Sequence, residues 1–210
     1  MLHSLYCLVR HRGRGVQHFF ERIMALIALL LLLPLMLFIV LLIRVDSPGP
    51  ALFLQQRLGR GGRYFKLYKF RTMAYLRSES GPTFTLAHDK RLTRVGQMLR
   101  HYKLDEMPQL WNICLGDMAF VGPRPIVKEQ VELYSPDKLE VMYSVHPGVT
   151  GPATLHFRHE SKHLSEAQDP EEYWCSLVPV KESMGCAYVE DKSLWLDIKI
   201  VLRTILSIWR

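Results

Sequence analysis

The apolar positions of the chain fall into one unbroken block and several periodic stretches. Residues 23–43 are all apolar apart from Pro34, and as a helix they would extend about 32 Å, enough to cross a bilayer core. The block is too long for a signal-peptide core, starts well inside the chain, and is followed by no small-residue cleavage site. It therefore predicts a membrane helix. Pro34, near its middle, removes one backbone hydrogen bond and crowds the preceding turn, which predicts a kink there. The run Asp46-Ser47-Pro48-Gly49-Pro50 is made of turn formers and should end the helix.

Beyond the block the periods shorten. Residues 51–58 and 64–71 are rich in β-formers and flank Gly59-Arg60-Gly61-Gly62, the pattern of a small β-hairpin. From Asp89 the spacing of Leu92, Val95, Leu99 and Tyr102 is helical, with Arg91, Arg94 and Arg100 around that face, and another helix is expected from about Asp105 to Gly116. His146-Pro147-Gly148 and Gly151-Pro152 read as turns, and Asp169-Pro170-Glu171-Glu172-Tyr173 as a helix start. In the last eighteen residues Ser193, Asp197, Arg203, Thr204, Ser207 and Arg210 recur opposite a stripe of Leu194, Leu196, Ile198, Val201, Leu202, Ile205 and Ile208, with Trp195 and Trp209 at the ends. Two readings fit this pattern: an amphipathic helix in the membrane interface, or a helix whose apolar stripe faces the protein core. The expected fold class is α+β, helix-rich. It divides into a basic segment (1–22), a membrane helix (23–46) and a globular domain (47–210).

Charge bears on how the membrane helix sits. The net charge of +7 is uneven: residues 1–103 hold 17 Lys/Arg against 4 Asp/Glu, and residues 104–210 hold 10 against 16. A spanning helix should show its basic bias on one side. Here Arg10, Arg12, Arg14 and Arg22 precede the block and Arg44, Arg57, Arg60, Arg63, Lys66, Lys69 and Arg71 follow it. Basic residues at both ends and a central proline describe a kinked, re-entrant helix that dips into one leaflet; a kinked spanning helix is the alternative. The basic half suits anionic lipid headgroups or phosphate-bearing substrates, and no zinc-finger, RNP or basic-zipper pattern argues for nucleic acid. Composition excludes a multi-span transporter, a disordered chain and a repeat array. Cys7, Cys114, Cys175 and Cys186 form no C-x-x-C pair and read as free thiols in a reducing compartment.

Two stretches could carry chemistry. In Lys103-Leu104-Asp105-Glu106-Met107-Pro108-Gln109-Leu110 the proline suits a first helical turn, placing both carboxylates at a helix start. There they fit either helix capping or a catalytic, magnesium-binding pair, with Arg100 and Lys103 just upstream. In Val121-Gly122-Pro123-Arg124-Pro125 two prolines stiffen the backbone around one arginine, whose planar fork suits a phosphate or diphosphate. The glycine turn at 59–62 lacks the following helix of a phosphate-binding loop. His156, His159 and His163 have a spacing that invites a metal, but lie in a loop-like stretch without cysteine or carboxylate partners in register, so surface histidines are the expectation.

In order, the strings Tyr68-Lys69-Phe70-Arg71-Thr72-Met73, residues 89–100, Leu104-Asp105-Glu106-Met107-Pro108-Gln109-Leu110-Trp111-Asn112, Gly116-Asp117-Met118, residues 121–125, His146-Pro147-Gly148-Val149-Thr150-Gly151 and Leu196-Asp197-Ile198-Lys199-Ile200 resemble the bacterial monotopic phosphoglycosyl transferases. These enzymes load a sugar phosphate onto undecaprenyl phosphate to begin glycan assembly. The resemblance covers most of the chain from the membrane helix onward, and as a set the motifs are specific. It implies a re-entrant helix broken at Pro34, Asp105 as nucleophile, Glu106 as its partner, and Mg2+ held by both. It also implies phosphate binding by Arg100 and Arg124, and a place in the site or its support for Lys69 and Asp197. The implied reaction takes a sugar 1-phosphate from a UDP-sugar to polyprenyl phosphate and releases UMP, through a covalent aspartyl intermediate. The implied place is the cytosolic face of a bacterial inner membrane, on anionic lipids, in exopolysaccharide, lipopolysaccharide or capsule synthesis, with a homodimer left open. The motifs imply a minimal member, without the extra N-terminal membrane domain of larger ones. After Gly151 the sequence departs from the family pattern, so the motifs do not indicate the donor sugar. Two alternatives stay open: a non-catalytic, membrane-anchored lipid-binding protein, and the same transfer with Asp105 as a base in a ternary complex.

Overall fold

A computed structural model describes residues 14–74 and 89–208. Helix α1 spans Arg14–Asp46, 33 residues or about 50 Å, and its helical assignment continues through Pro34. The boundary expected between residues 22 and 23 falls inside this helix, and its first turns pack on the globular part. Among the described residues it is the one helix long and apolar enough to cross a membrane.

Both ends of α1 contact the same globular body, while the middle is bare. Near its start Ala25 is fully buried among Leu67, Ile113 and Met118, and the Arg22 guanidinium donates to the Leu115 carbonyl at 3.0 Å. Near its end Ile39 and Ile43 pack with Ala51, Phe70 and Leu99. Between them Leu30, Leu31, Leu33, Leu35 and Leu37 are exposed.

The strands β1 (Leu52–Leu58) and β2 (Tyr64–Phe70) pair antiparallel, Leu52 opposite Phe70 and Leu58 opposite Tyr64, as the β-former runs predicted. The turn Arg60–Gly62 is a 3-10 turn in which Gly61 and Gly62 take positive φ. Its amides are already used: Gly61 donates to the Tyr143 carbonyl and Gly62 to that of Gly59. It is a hairpin turn and holds no free amide cradle for phosphate.

Helix α2 covers Arg94–His101, starting later than the pattern from Asp89 suggested. The Thr93 side chain caps it by accepting from the Gly96 amide, and Asp89 instead folds back on Arg91. Gly96 allows the helix to lie against the Thr72 backbone, where an added Cβ would collide. After α2, Lys103 adopts φ 57°, the one positive-φ non-glycine among the described residues, and the chain enters a 3-10 turn at Leu104–Glu106. Helix α3 then runs over Gln109–Leu115 and ends at Gly116, whose φ of 88° suits glycine. The helix expected from Asp105 is thus two pieces, because Pro108 cannot donate the bond that would join them. Asn112, fully buried on α3, accepts from the Tyr68 amide and donates to the Lys66 carbonyl, fixing α3 to β2.

A second, parallel sheet pairs β3 (Ala119–Val121) with β4 (Gly148–Thr150). Gly148, expected in a turn with His146 and Pro147, begins a strand instead. Helices α4 (Pro136–Met142), α5 (Pro152–His156), α6 (Glu160–Glu166), α7 (Pro170–Asp191) and α8 (Leu194–Ile208) complete the body. Asp169 caps α7 by accepting from the Glu171 and Glu172 amides. His156 and His163 lie on helices and His159 in the turn between them, where a loop was expected; all three are exposed, and no group of three or more His, Cys, Asp or Glu placed to hold a metal occurs among the described residues.

Helix α8 turns a mixed polar and apolar face inward. Asp197 and Ile200 are buried and Thr204 bonds Thr150, while Leu194, Trp195, Leu202, Ile205 and Leu206 are each at least half exposed. The stripe is divided: Leu196 and Val201 pack with Ile200 against Val121, Val145 and Tyr188, while Leu194, Ile198, Leu202 and Ile205 face outward. Asp197 and Thr204 of the polar side also find partners inside. Trp209 and Arg210 lie outside the described residues, as do Cys7, Arg10 and Arg12.

Candidate active site

The carboxylates of the 3-10 turn meet the basic residues of three separate elements. Leu104 and Met107, flanking the pair, pack into the cluster around Ile39, Ile43 and Leu99, which seats the turn on the C-terminal end of α1. Glu106 Oε1 accepts from Lys69 Nζ of β2 at 2.8 Å and from Arg124 Nη2 at 3.3 Å. Burial pushes the Glu106 carboxyl up, but Lys69 and Arg124 together outweigh it and hold it well below the usual carboxylate range. Glu106 is ionised. The field of Glu106 in turn raises Arg124, while burial lowers Lys69 against the pull of the same carboxylate.

Asp105 differs from its neighbour. It is 8% exposed, and no hydrogen bond to its carboxylate occurs among the described residues. Burial raises its carboxyl above the ordinary aspartate range, opposed by Lys69 and reinforced by Glu106. The positive end of a helix by itself would favour both groups as anions. The observed split arises because the cations bond Glu106 and leave Asp105 desolvated.

Arg100 donates through Nε to the Thr72 hydroxyl at 2.9 Å and lies in the fields of Asp105 and Asp89. Arg124 is 48% exposed, and the loop carrying it is pinned from behind. Tyr143 donates its hydroxyl to the Arg124 carbonyl at 2.8 Å, and Leu58 of β1 donates its amide to Ile126. The structure thus gathers Asp105, Glu106, Lys69, Arg100 and Arg124. Asp197 is elsewhere, accepting from Tyr188 of α7 at 2.6 Å and from Gln17 of α1 at 3.0 Å. It holds three helices together, and no contact joins it to the carboxylate turn. Its hydrogen bonds place Asp197 in the packing of α1, α7 and α8 and not among the residues bonded to Glu106.

One residue of the neighbourhood was missed. Arg57 of β1 donates Nη1 to the Pro125 carbonyl at 2.9 Å and Nη2 to Gln55 at 2.6 Å, and lies in the fields of Arg124 and Glu106. In sequence it was one of many basic residues after the membrane block, and nothing in its spacing linked it to a loop 68 residues away. Arg71 was grouped with it, yet Arg71 is buried and ties the hairpin to Ser47 and Pro48 at the end of α1.

Recesses occur away from the carboxylate turn. Two, of about 220 and 580 Å³, adjoin His146 and Gly116, the second also lined by Arg60, Arg63 and Tyr64 of the hairpin turn. Tyr64 and Lys69 are on the order of 17 Å apart along β2, so these recesses are separate from the acidic pair. His146 here contacts His18 of α1 at 2.9 Å, and His18 contacts Glu21 at 2.8 Å.

The matching family is that of the bacterial sugar transferases, over residues 12–210. This chain belongs to it. It is 38% identical over 186 residues to the UDP-N-acetylgalactosamine-undecaprenyl-phosphate N-acetylgalactosaminephosphotransferase of Aeromonas hydrophila, covering 88% of this chain and 41% of that one. It is 39% identical over 179 residues to the UDP-glucose:undecaprenyl-phosphate glucose-1-phosphate transferase of Caulobacter vibrioides, covering 83% and 62%. It is 32% identical over 213 residues to the UDP-galactose-lipid carrier transferase of Erwinia amylovora, covering 94% and 41%. The chain therefore spans between two fifths and two thirds of the length of these relatives, and their names carry three different sugars.

Proposed function

We propose that this chain is a membrane-bound phosphoglycosyl transferase that moves a sugar 1-phosphate from a UDP-sugar to undecaprenyl phosphate. The observation that carries the reading is the asymmetric carboxylate pair: Glu106 held ionised by Lys69 and Arg124, beside a buried Asp105 with no hydrogen bond among the described residues. A buried anion kept free of donors is a better nucleophile than a solvated one. Asp105 attacks the β-phosphorus, forming an Oδ–P bond as the bond to the bridging oxygen breaks and UMP leaves with that electron pair. An oxygen of the lipid phosphate then attacks the same phosphorus and frees Asp105. Arg124 and Arg100, with Lys69, balance charge on the transferring phosphoryl group.

The donor set suits magnesium, a hard ion that takes one or two carboxylates and completes its shell with water and phosphate. Asp105 and the second oxygen of Glu106 would hold it, and when bound it would neutralise phosphoryl oxygens. The membrane reading is supported by the contacts of α1. A straight spanning helix can present only one end to a body on one side of the bilayer, whereas residues 17–25 and 36–46 both pack on the same body. This favours the re-entrant geometry on the cytosolic face, with the outward apolar side of α8 resting in the interface.

The test is a panel of UDP-sugars with undecaprenyl phosphate in liposomes, reading UMP release and lipid-linked sugar. One donor should be turned over, UMP should appear before lipid phosphate is added, and initial-rate plots should be parallel. Intersecting plots with no early UMP would make Asp105 a base in a ternary complex. Unchanged lipid binding with no turnover of any donor would leave a lipid-binding protein.

A further inference from the structure

Arg57 is a costly residue to keep where it is. Burial and the like charge of Arg124 lower its guanidinium to about 10, with Glu106 only partly compensating. Its fixed partners are neutral: the Pro125 carbonyl and the Gln55 side chain. Its Nε–H is enclosed and finds no acceptor among the described residues. Nor is the guanidinium needed to hold the Arg124 loop, which is already fastened by the Leu58 amide on Ile126, the Arg57–Val127 bridge and the Tyr143 hydroxyl on Arg124. Glu106 is bonded by Lys69 and Arg124, and Arg57 lies in its field with no acidic hydrogen-bond partner of its own among the described residues. Positive charge in surplus of that kind is offset when an anionic ligand arrives.

We propose that Arg57 is a further phosphate-binding residue, which with Arg124 forms a two-guanidinium clamp on the diphosphate of the donor. The inference rests on the transferase reading above. Arg57 extends from the hairpin strand and Arg124 from the loop packed against it, so the clamp joins two elements, whose spacing is set by the Leu58 amide on Ile126 and the Arg57–Val127 bridge. Two planar forks on one diphosphate give more directional donors than Arg124 alone. This also gives β1 a part in the site that its sequence pattern did not suggest.

The test compares equilibrium binding of uridine, UMP and UDP to the full chain in detergent or nanodiscs, for wild type, Arg57→Met and Arg57→Lys. Loss of one charge-assisted contact should weaken UDP binding about tenfold or more in Arg57→Met, and uridine binding should change little. Arg57→Lys should recover part of the loss. The midpoint of thermal unfolding is followed in parallel. Wild-type UDP affinity in Arg57→Met would overturn the proposal. So would equal weakening of uridine and UDP, which would mean the side chain only positions the loop. Wild-type protein that bound neither UMP nor UDP would overturn the donor reading as well, whereas failure confined to the variants would overturn the clamp alone.

Discussion

Asp105 and Glu106 are adjacent in sequence and opposite in electrostatic state, and that difference sets what each substitution should do. Asp105→Asn keeps the shape and removes the nucleophile, so turnover should fall at least about 10³-fold and no label from UDP-sugar should remain on the protein. Glu106→Gln loses the acceptor charge that orders Lys69 and Arg124; turnover should drop severely, while some trapped label is expected to survive. Mass spectrometry of the Asp105 peptide distinguishes the two. The pH profile follows from the same split. Asp105 reacts as an anion and its carboxyl is raised, so kcat/KM should be full above that raised value and fall as pH drops through it, at a pH above the ordinary aspartate value of about 3.9. Lys69 opposes the rise, so Lys69→Met should move this acid limb to higher pH as well as lowering the plateau. A limb that moved to lower pH would contradict the assignment.

At the scale of elements, the carboxylate turn is held by the way α1, α2, α3 and β2 meet, and two substitutions separate support from chemistry. Pro34→Ala restores a backbone hydrogen bond at the middle of α1 and should shift the helix towards a spanning position. Single cysteines before Arg22 and after Arg44 should both react with an impermeant reagent from one side in the parent, and from opposite sides in a growing fraction of Pro34→Ala. Asp197 joins α8 to α7 and α1 through Tyr188 and Gln17. Asp197→Ala leaves a buried tyrosine hydroxyl without that acceptor and should cost about 1–3 kcal/mol of stability, with UDP affinity retained in the folded fraction. Loss of UDP affinity at unchanged unfolding midpoint would return Asp197 to the site.

Among the described residues, the middle of α1 and the outward side of α8 present apolar surfaces. Leu202→Glu with Ile205→Glu places two charges on the second surface without touching Asp197 or Ile200. Membrane association of α1 should persist, while turnover of lipid-bound acceptor should fall well below that of a short-chain, water-soluble one, since the body would no longer sit at headgroup depth. Equal activity on both acceptors would show that α8 faces solvent or another protein.

Much of this was legible along the chain, for a physical reason in each case. The long apolar run of α1, the β-former runs of the hairpin and the Asp169 cap of α7 are local patterns, and local patterns survive folding when no partner element opposes them. The Asp-Glu and Pro-Arg-Pro strings were legible because their neighbours in sequence are also their rigid context. What the sequence could not determine was everything set by approach between distant segments. Strands β3 and β4 are three residues each and are stabilised by each other, so neither has a period to read. Which face of α8 turns inward depended on finding Tyr188, Gln17 and Thr150 on the far side. The opposite directions in which Asp105 and Glu106 are shifted, and the arrival of Arg57 beside Arg124, came only from tertiary structure, because Coulomb fields and burial depend on distance in space and not on order along the chain.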